Sequence, residues 1–441
     1  MTHILKWNQI ALEANKTDFS GAASEQGGPT LSSRALALVH IAMYDAHFGA
    51  GQFATRPSFL GLPPAPVGTD PELAVAVAAH HVLTRLYAAQ KPTFDAALAG
   101  ATSDFGSQVG IATLGANFGE VPFTAAPYPT RADRYNHPTN QGLHGALYGR
   151  ATRFAVLNPI ALDPPPTPGM AAYDNDAKEV RNKGAHPSYK DLTRTPDETM
   201  IAQYWAYDGV NKIGTPPRLY NQIILEIMKI RNTAHPDDQI RLLTLANVAM
   251  GDSGILAWHE KFRHNLWRPV IGIRQHDSSC GPDAVPGIVN GAIADPFWEP
   301  LGAPHTNSPR GRFTPPFPAY PSGHATFGAA ALQMVRRFYG QSAPNLRKDD
   351  NIAFDFISDE QDGISEHEGS VRTRHRRKFS SCWDAIYENA VSRVFLGVHW
   401  RLDAMESENY GQFKNGTGLD KVGGVPLGLS IADDIFDNKM K

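Results

Sequence analysis

The feature that most constrains the fold is a succession of long apolar segments with helical spacing, because alternating strand patterns are scarce throughout the chain. The first segment runs through residues 31–49. The second begins at Asp70, a residue type that often caps helix N-termini, and Pro71 suits the first helical position. Further helices are predicted near residues 90–118, 217–233, 237–263, 324–340 and 381–396. The pattern therefore predicts an all-α protein.

Proline-rich connections separate these helices. The densest are ALDPPPTPG at 161–169 and RFTPPFPAYPSG at 312–323, and both are predicted loops because proline fixes φ and removes a donor. At 441 residues the chain is long enough for two cores. We expect two helical bundles of the four-helix type, a structural or assembly bundle at 1–200 and a site-bearing bundle at 201–441. The alternative is one domain in which the polar region after 161 is a surface excursion.

Composition excludes several classes of protein. A net charge of −3 argues against general attraction to nucleic acid, so any positive site must be local. The two cysteines, Cys280 and Cys382, cannot build a disulfide framework or a four-cysteine zinc site. We find no secretory signal and no apolar run of about eighteen residues. We therefore expect no membrane span, and a cytoplasmic location or export by a non-classical route.

The first segment that carries chemistry is WHEKFRHNLWRPVIG, which contains Lys261 and Arg268. On a single helix these residues would lie nearly two turns apart, so both cations would leave the same face. Such a pair usually belongs to a solvated face. Trp258, Leu266 and Trp267 indicate instead that the segment is buried, and buried cations require a counter-anion.

The second segment is FPAYPSGHATFGAAALQMV, in which a proline-rich approach meets a strong helix. Ser322 can cap this helix, and Gly323 lets a backbone N–H approach a ligand at the positive helix end. His324 would then lie beside a bound anion and exchange a proton near neutral pH. The alternative is an ordinary helix start with an exposed histidine.

The third segment is NAVSRVFLGVHWRLDA, which contains Arg393, His399 and Asp403. On an ideal helix Arg393 and His399 would point about 120° apart, so we predict that the backbone changes direction near Gly397. Two alternatives stay open for Asp403: it orients His399, or it pairs with Arg401. His399 itself has the alternative reading of an ordinary core histidine.

Together the segments supply three cations, a helix N-terminus and two histidines. This set describes a pocket for a tetrahedral oxyanion such as phosphate or vanadate. Its oxygens would be held by Lys261, Arg268, Ser322, Gly323 and Arg393, and one histidine would act on the central atom. No Asp/Glu cluster suited to magnesium accompanies the segments, so two-metal phosphoryl transfer is disfavoured.

The three segments resemble, in order, the signature shared by vanadium haloperoxidases and the type 2 phosphatidic acid phosphatase superfamily. The signature is Lys, six residues, Arg-Pro; then Pro-Ser-Gly-His; then Ser-Arg, five residues, His, three residues, Asp. Its positions are all present, as Lys261, Arg268, Pro269, Pro321, Ser322, Gly323, His324, Ser392, Arg393, His399 and Asp403.

The resemblance to fungal-type vanadium chloroperoxidases extends further, and it is clearest over residues 195–437. It runs through YWAYDG at 204–209, GTPPRLYNQI at 214–223, ADPFWEPLGAP at 294–304, PPFPAYPSGHATFG at 315–328 and GGVPLGLSIAD at 423–433. Within the first of these, Asp208 is a candidate ion-pair partner of Arg393.

The resemblance implies vanadate as the cofactor and His399 as its protein ligand to vanadium. His324 would be the acid–base residue that assists peroxide binding, and Lys261 would join the two histidines as a catalytic residue. The vanadate oxygens would be hydrogen-bonded by Lys261, Arg268, Ser322, Gly323 and Arg393. Such hydrogen bonds withdraw electron density from an activated oxygen and make it electrophilic.

The implied activity is the oxidation of chloride, bromide or iodide by hydrogen peroxide to hypohalous acid, which halogenates a small organic acceptor. Trp258 and Phe317 match aromatic positions beside the vanadate of chloroperoxidases, whereas algal bromoperoxidases typically carry histidine at the position of Phe317. This favours competence with chloride. The resemblance is also compatible with a homo-oligomer.

The main alternative is a soluble acid phosphatase of the same superfamily, in which His399 is the nucleophile and forms a phosphohistidine. The longer chloroperoxidase-like segments, with Trp258 and Phe317, argue against it, as does the lack of the membrane helices expected of a lipid phosphatase. A non-catalytic oxyanion-binding protein is a further alternative, and His324 argues against it because pure binding needs no acid–base group.

Overall fold

The computed structural model describes residues 1–21, 23–120, 143–158, 160–276, 293–342 and 345–438. Within these ranges the protein is mainly helical, which confirms the predicted fold class. The helices are α1 (His3–Asp18), α2 (Gly28–Ala50), α3 (Pro71–Leu86), α4 (Lys91–Leu98), α5 (Asp104–Gly115), α6 (Ala171–Lys183), α7 (Pro196–Tyr204), α8 (Pro216–Ile230), α9 (Pro236–His264), α10 (Pro269–Gln275), α11 (Gly323–Phe338), α12 (Cys382–Phe395), α13 (Tyr410–Lys414) and α14 (Gly424–Asn438).

The strands in the described residues form two small antiparallel pairs between α11 and α12. Strand β1 (Phe354–Ile357) pairs with β4 (Arg376–Phe379), and β2 (Glu366–His367) pairs with β3 (Ser370–Val371). In the first pair Phe354 lies opposite Phe379, and their rings stack 4.9 Å apart. The phenylalanine rings of this pair face the core, and its charged side chains lie on the outer face.

Helix α9 is the central element of the core. It packs against α2, α11, α14 and α8. Its buried polar side chains are hydrogen-bonded: Asn247 pairs with Asn221 of α8, and the Asp252 carboxylate accepts the backbone N–H groups of residues 154–156. The stretch 236–275 is long and apolar enough to cross a membrane, but 89% of its most apolar window is buried inside the protein, as in a core helix.

Local capping explains where several helices begin. The Asp70 carboxylate accepts the N–H groups of Glu72 and Leu73 at the start of α3, as predicted. Helix α1 was not predicted, because two of its buried positions, Asn8 and Asn15, are polar and interrupt the apolar pattern.

The prediction of one helix at 90–118 is wrong, because two helices, α4 and α5, occupy this stretch. Ala99 and Gly100 both adopt positive φ after α4, and the Ser103 side chain then caps α5. Helices α6 and α7 also lie in the polar region before residue 204, where the pattern predicted none. Their buried faces are narrow, with three buried residues each, which gives a weak apolar signal.

Helices from the two halves of the chain pack together. Helix α2 packs against α9, and α12 packs against α6 and α7. The proposed division at residue 200 stays a prediction. Of the two cysteines, Cys382 is buried with a free thiol, and Cys280 lies outside the described residues.

Candidate active site

The prediction that Lys261 and Arg268 share one helix is wrong. Helix α9 ends at His264, because Asn265 adopts a left-handed conformation with φ 57°. Arg268 is instead the residue before α10, which starts at Pro269. The two cations still converge, because the chain folds back on itself between the two helices.

Lys261 is fully buried, and its ammonium group donates to three carbonyl oxygens of the proline-rich loop, those of Pro318, Ala319 and Pro321. Burial lowers the pKa of Lys261 well below its usual value, and the nearby Arg268 lowers it further. The cation therefore holds the loop that leads to Ser322 in place.

Arg268 contacts the imidazole ring of His399. Its Nη1 donates to the His399 Nε2 at 2.8 Å and to the Val398 carbonyl at 2.7 Å, while its Nε donates to the Phe317 carbonyl. Its Nη2 is buried and has no hydrogen-bond partner among the described residues. Burial lowers the pKa of Arg268 to about 9. This guanidinium thus keeps one unused donor in a buried, cationic region.

The N-terminus of α11 is built as predicted. The Ser322 side chain accepts the Ala325 N–H, and Gly323 is the first helical residue. A Cβ on Gly323 would lie 3.3 Å from the Trp258 ring, so glycine permits this close approach. Next in the chain, the His324 Nε2 donates to the Ala206 carbonyl at 2.6 Å, which leaves Nδ1 as the nitrogen with a lone pair.

The turn at residues 206–208 contacts two predicted site residues. Its Ala206 carbonyl holds His324, and the Asp208 carboxylate accepts two hydrogen bonds from Arg393 at 2.7 and 3.0 Å, which confirms the expected pair. Tyr207 between them has φ 40°, a left-handed conformation that is unfavourable for a bulky residue. Surrounding contacts must therefore hold this turn in shape.

One group that holds the turn is Glu360, which sequence reasoning did not identify. Its fully buried carboxylate accepts the Tyr207 N–H at 3.2 Å and the Thr306 hydroxyl at 2.6 Å. Arg372 forms an ion pair with the same carboxylate. Arg372 is the first residue of the basic run RTRHRRK at 372–378, and its side chain is buried.

The backbone changes direction at Gly397, as predicted. Helix α12 ends at Phe395, and Gly397 adopts φ 71°, where a Cβ would lie 2.3 Å from the Gly184 carbonyl. This turn brings His399 back towards Arg393. The His399 Nδ1 then donates to the Asp403 carboxylate at 2.8 Å, while Arg401 pairs with Glu179, so the open question about Asp403 is settled in favour of His399.

Aromatic rings form one wall of the site. The rings of Trp258 and Phe317 are 4.7 Å apart, and the Lys261 ammonium and Arg268 guanidinium lie 5.1 and 4.9 Å from the Phe317 centroid. His144, from the N-terminal half, also belongs to this wall. Its backbone carbonyl accepts the Trp258 indole N–H, and its backbone N–H donates to the Pro316 carbonyl. No motif in the sequence marks His144.

These groups surround a cavity of about 180 Å³. Of the predicted residues, Trp258, Phe317, Gly323, His324, Arg393 and His399 line it. Lys261, Arg268 and Ser322 lie behind that lining and support it. The apolar remainder of the wall includes Phe19 and Pro29 from the N-terminal half, so both halves of the chain build the cavity.

The donor set fits a tetrahedral oxyanion such as vanadate. Two buried donors, Arg268 Nη2 and Arg393 Nε, have no hydrogen-bond partner among the described residues and could bind the oxygens of such an anion. Burial, with Arg268 next in importance, lowers the pKa of His399 well below its usual value, and burial lowers that of His324 to about 3. Both imidazoles are therefore neutral, and the Asp403 contact keeps the His399 Nε2 unprotonated, with its lone pair accepting the Arg268 Nη1–H. The described residues hold no cluster of acidic, histidine or cysteine ligands for a metal cation.

A mainly helical protein with a buried oxyanion pocket of this kind resembles the class of vanadium haloperoxidases and related phosphatases. The family model described as the N-terminal domain of vanadium chloroperoxidase matches residues 1–106, and that of its second helical-bundle domain matches residues 241–415. The vanadium chloroperoxidase of Curvularia inaequalis is 32% identical, over all of this chain and 90% of its own length. The chain therefore belongs to the vanadium chloroperoxidase family.

Solved structures agree with the fold. A bacterial vanadium-dependent iodoperoxidase superposes with a TM-score of 0.64 at 20% identity, covering 98% of this chain and 96% of its own. The apo form of a bacterial vanadium-dependent chloroperoxidase gives 0.63 at 16% identity, covering 94% and 96%. Because the chain belongs to the vanadium chloroperoxidase family, it is a vanadium-dependent haloperoxidase with vanadate as cofactor and with peroxide and halide as substrates, and the phosphatase alternative is not favoured.

Proposed function

We propose that the site residues act in this haloperoxidase as follows. The His399 Nε2 would hold vanadium in place of its contact with Arg268, and Arg268, Arg393 and the Gly323 N–H would donate to the vanadate oxygens. The observation that carries this assignment is the pair of buried arginines with unused donors beside a histidine whose Nδ1 is fixed by Asp403. When bound, vanadate(V) supplies Lewis-acid activation of hydrogen peroxide towards a halide.

His324 is the proposed proton carrier. Its Nε2–H is held by the Ala206 carbonyl, so Nδ1 can accept a proton from peroxide and return it when the product leaves. Burial lowers the pKa of His324 to about 3, so in the metal-free protein the ring is neutral and its Nδ1 is unprotonated at physiological pH. Lys261 contributes indirectly, through the loop carbonyls that it binds.

The proposed halide range includes chloride. The wall of Trp258 and Phe317 is apolar, and two cations lie over the Phe317 ring, which makes a dry region with positive potential for a small anion. Oligomeric state and location, whether cytoplasmic or reached by non-classical export, stay predictions.

The first test is halogenation of monochlorodimedone with peroxide and either bromide or chloride, using metal-free protein before and after orthovanadate is added. We expect activity only with vanadate, and none in His399→Ala. His324→Ala should bind vanadate but turn over about 10²–10⁴-fold more slowly. Full activity in His399→Ala would overturn the ligand assignment. Hydrolysis of p-nitrophenyl phosphate without halogenation would overturn the function.

A Phe317→His variant tests the halide range. A polar ring at this position removes part of the apolar wall, so the chloride rate should fall more than the bromide rate while vanadate affinity is kept. An unchanged ratio of the two rates would contradict the role given to Phe317.

A further inference from the structure

A second, larger cavity lies beside the catalytic one. It is an open cleft of about 800 Å³, and Phe313 lines both this cleft and the vanadate cavity. The Phe313 ring is held in place by stacking on His305, with centroids 4.2 Å apart. The cleft and the vanadate cavity therefore adjoin at this aromatic side chain.

The cleft wall has the character of an aryl-binding surface. Phe297 is 88% exposed at the cleft, and Tyr189 and Phe313 are half-buried there. An exposed phenylalanine beside two further rings offers edge and face contacts to a planar ligand. Thr314, also in the wall, is 1% exposed, and its hydroxyl has no hydrogen-bond partner among the described residues. This hydroxyl is suited to a ligand oxygen.

Among the described residues, the charged groups of the cleft are paired, with one exception. Each carboxylate in its lining has an arginine partner: Glu368 is bound by Arg312, Glu299 by Arg274, and Asp295 lies 4.0 Å from Arg181. Lys190 is exposed, and no ion pair or hydrogen bond of its ammonium group occurs within the described ranges. The cleft thus keeps one cation without a carboxylate partner beside its aromatic rings.

We propose that this cleft binds the organic acceptor, and that the acceptor is a hydroxyaryl carboxylate. Its ring packs among Tyr189, Phe297 and Phe313, its carboxylate pairs with Lys190, and its phenol meets Thr314. The proposal rests on the haloperoxidase function, which supplies hypohalous acid next to the cleft. In the reaction the halogen of hypohalous acid bonds to a ring carbon beside the phenol, that carbon loses a proton, and the released hydroxide takes up a proton to form water. The ring is oxidised and the halogen is reduced.

The test is a competition between 4-hydroxybenzoate and its neutral analogue 4-hydroxybenzamide, brominated by vanadate-loaded enzyme with peroxide and bromide. The ratio of the two products is compared with the ratio given by free hypobromous acid. We expect the enzyme to favour the acid by about three- to fivefold over the free reagent, as suits an exposed charge pair, and to lose this preference at high salt.

Lys190→Gln should return the product ratio to that of free hypobromous acid, whereas Lys229→Gln, at an exposed lysine of α8, should leave it unchanged. Triiodide formation from iodide and peroxide, which needs no organic acceptor, should be equal in all three proteins. A wild-type ratio equal to that of the free reagent, or a preference that survives Lys190→Gln, would overturn the cleft proposal. Loss of triiodide formation in the wild type would instead overturn the proposed function.

Discussion

At the residue scale, the site depends on how each imidazole is oriented. His324 and His399 each donate one ring N–H to a fixed acceptor, the Ala206 carbonyl and the Asp403 carboxylate respectively. Burial keeps both rings neutral. Each histidine therefore has one defined lone pair, which a metal ligand and a proton acceptor both require; that of His399 accepts the Arg268 Nη1–H in this structure.

We predict that Asp403→Ala weakens vanadate binding by about 10–100-fold, because the His399 tautomer and ring orientation are no longer fixed. Vanadate affinity can be measured by equilibrium dialysis, with urea unfolding to monitor the fold. Asp252→Ala is the matched control, since it removes an equally buried carboxylate that binds backbone amides away from the cavity. Equal vanadate affinity in the two variants would contradict the role of Asp403.

At the scale of elements, α11 is held against α14 by close backbone contact. A Cβ on Gly424 would lie 2.4 Å from the Ser322 carbonyl, and one on Gly428 would lie 2.3 Å from the Thr326 carbonyl. Both glycines are on α14, one turn apart, and neither contact can relax by rotating a side chain. The N-terminus of α11 that presents His324 is therefore positioned by α14.

Alanine substitutions at these two glycines should separate stability from function. Gly424→Ala and Gly428→Ala should each destabilise the protein by about 1–3 kcal/mol, because each overpacks the helix contact. Only Gly424→Ala displaces Ser322 directly, so it alone should also weaken vanadate binding. Urea unfolding and vanadate titration check this; a larger binding loss in Gly428→Ala would be inconsistent with it.

The buried ion pair of Glu360 and Arg372 links the strand region to the turn at 206–208. Glu360→Gln leaves Arg372 buried without a countercharge, so we expect a loss of about 3–5 kcal/mol in unfolding free energy and slower halide oxidation. The control is Asp355→Asn, which breaks the exposed pair with Arg376 and should change stability by at most about 1 kcal/mol. Equal effects of the two variants would contradict the role of Glu360 in holding the Tyr207 turn.

At the scale of the whole molecule, neutral buried histidines make the metal-free protein sensitive to acid. Burial lowers the pKa of His40 and of His144 to about 4. Their folded pKa lies below the unfolded value of about 6.5, so the unfolded chain takes up protons first as pH falls. Their stabilising contribution is complete above about pH 6.5 and is lost as pH falls towards 4.

We expect each such histidine to remove about 2 kcal/mol of unfolding free energy between pH 7 and pH 5. Urea unfolding of metal-free protein at both pH values measures the total. His40→Gln should show a smaller difference between the two pH values than the wild type, because His40 lies in the α1–α2 contact away from the vanadate cavity. An unchanged difference would show that His40 does not carry this effect.

The sequence by itself determined the helical class and most helix positions, because apolar periodicity, capping residues and proline are local signals. Its motifs also supplied the candidate residues of the oxyanion site. Even the turn at Gly397 followed from spacing alone. Tertiary structure decided the rest. It placed Lys261 and Arg268 on separate helices, since Asn265 ends α9, and it brought His144, Phe19 and Glu360 to the site from distant parts of the chain. Such contacts join residues with no fixed sequence separation, and only packing of the elements brings them together.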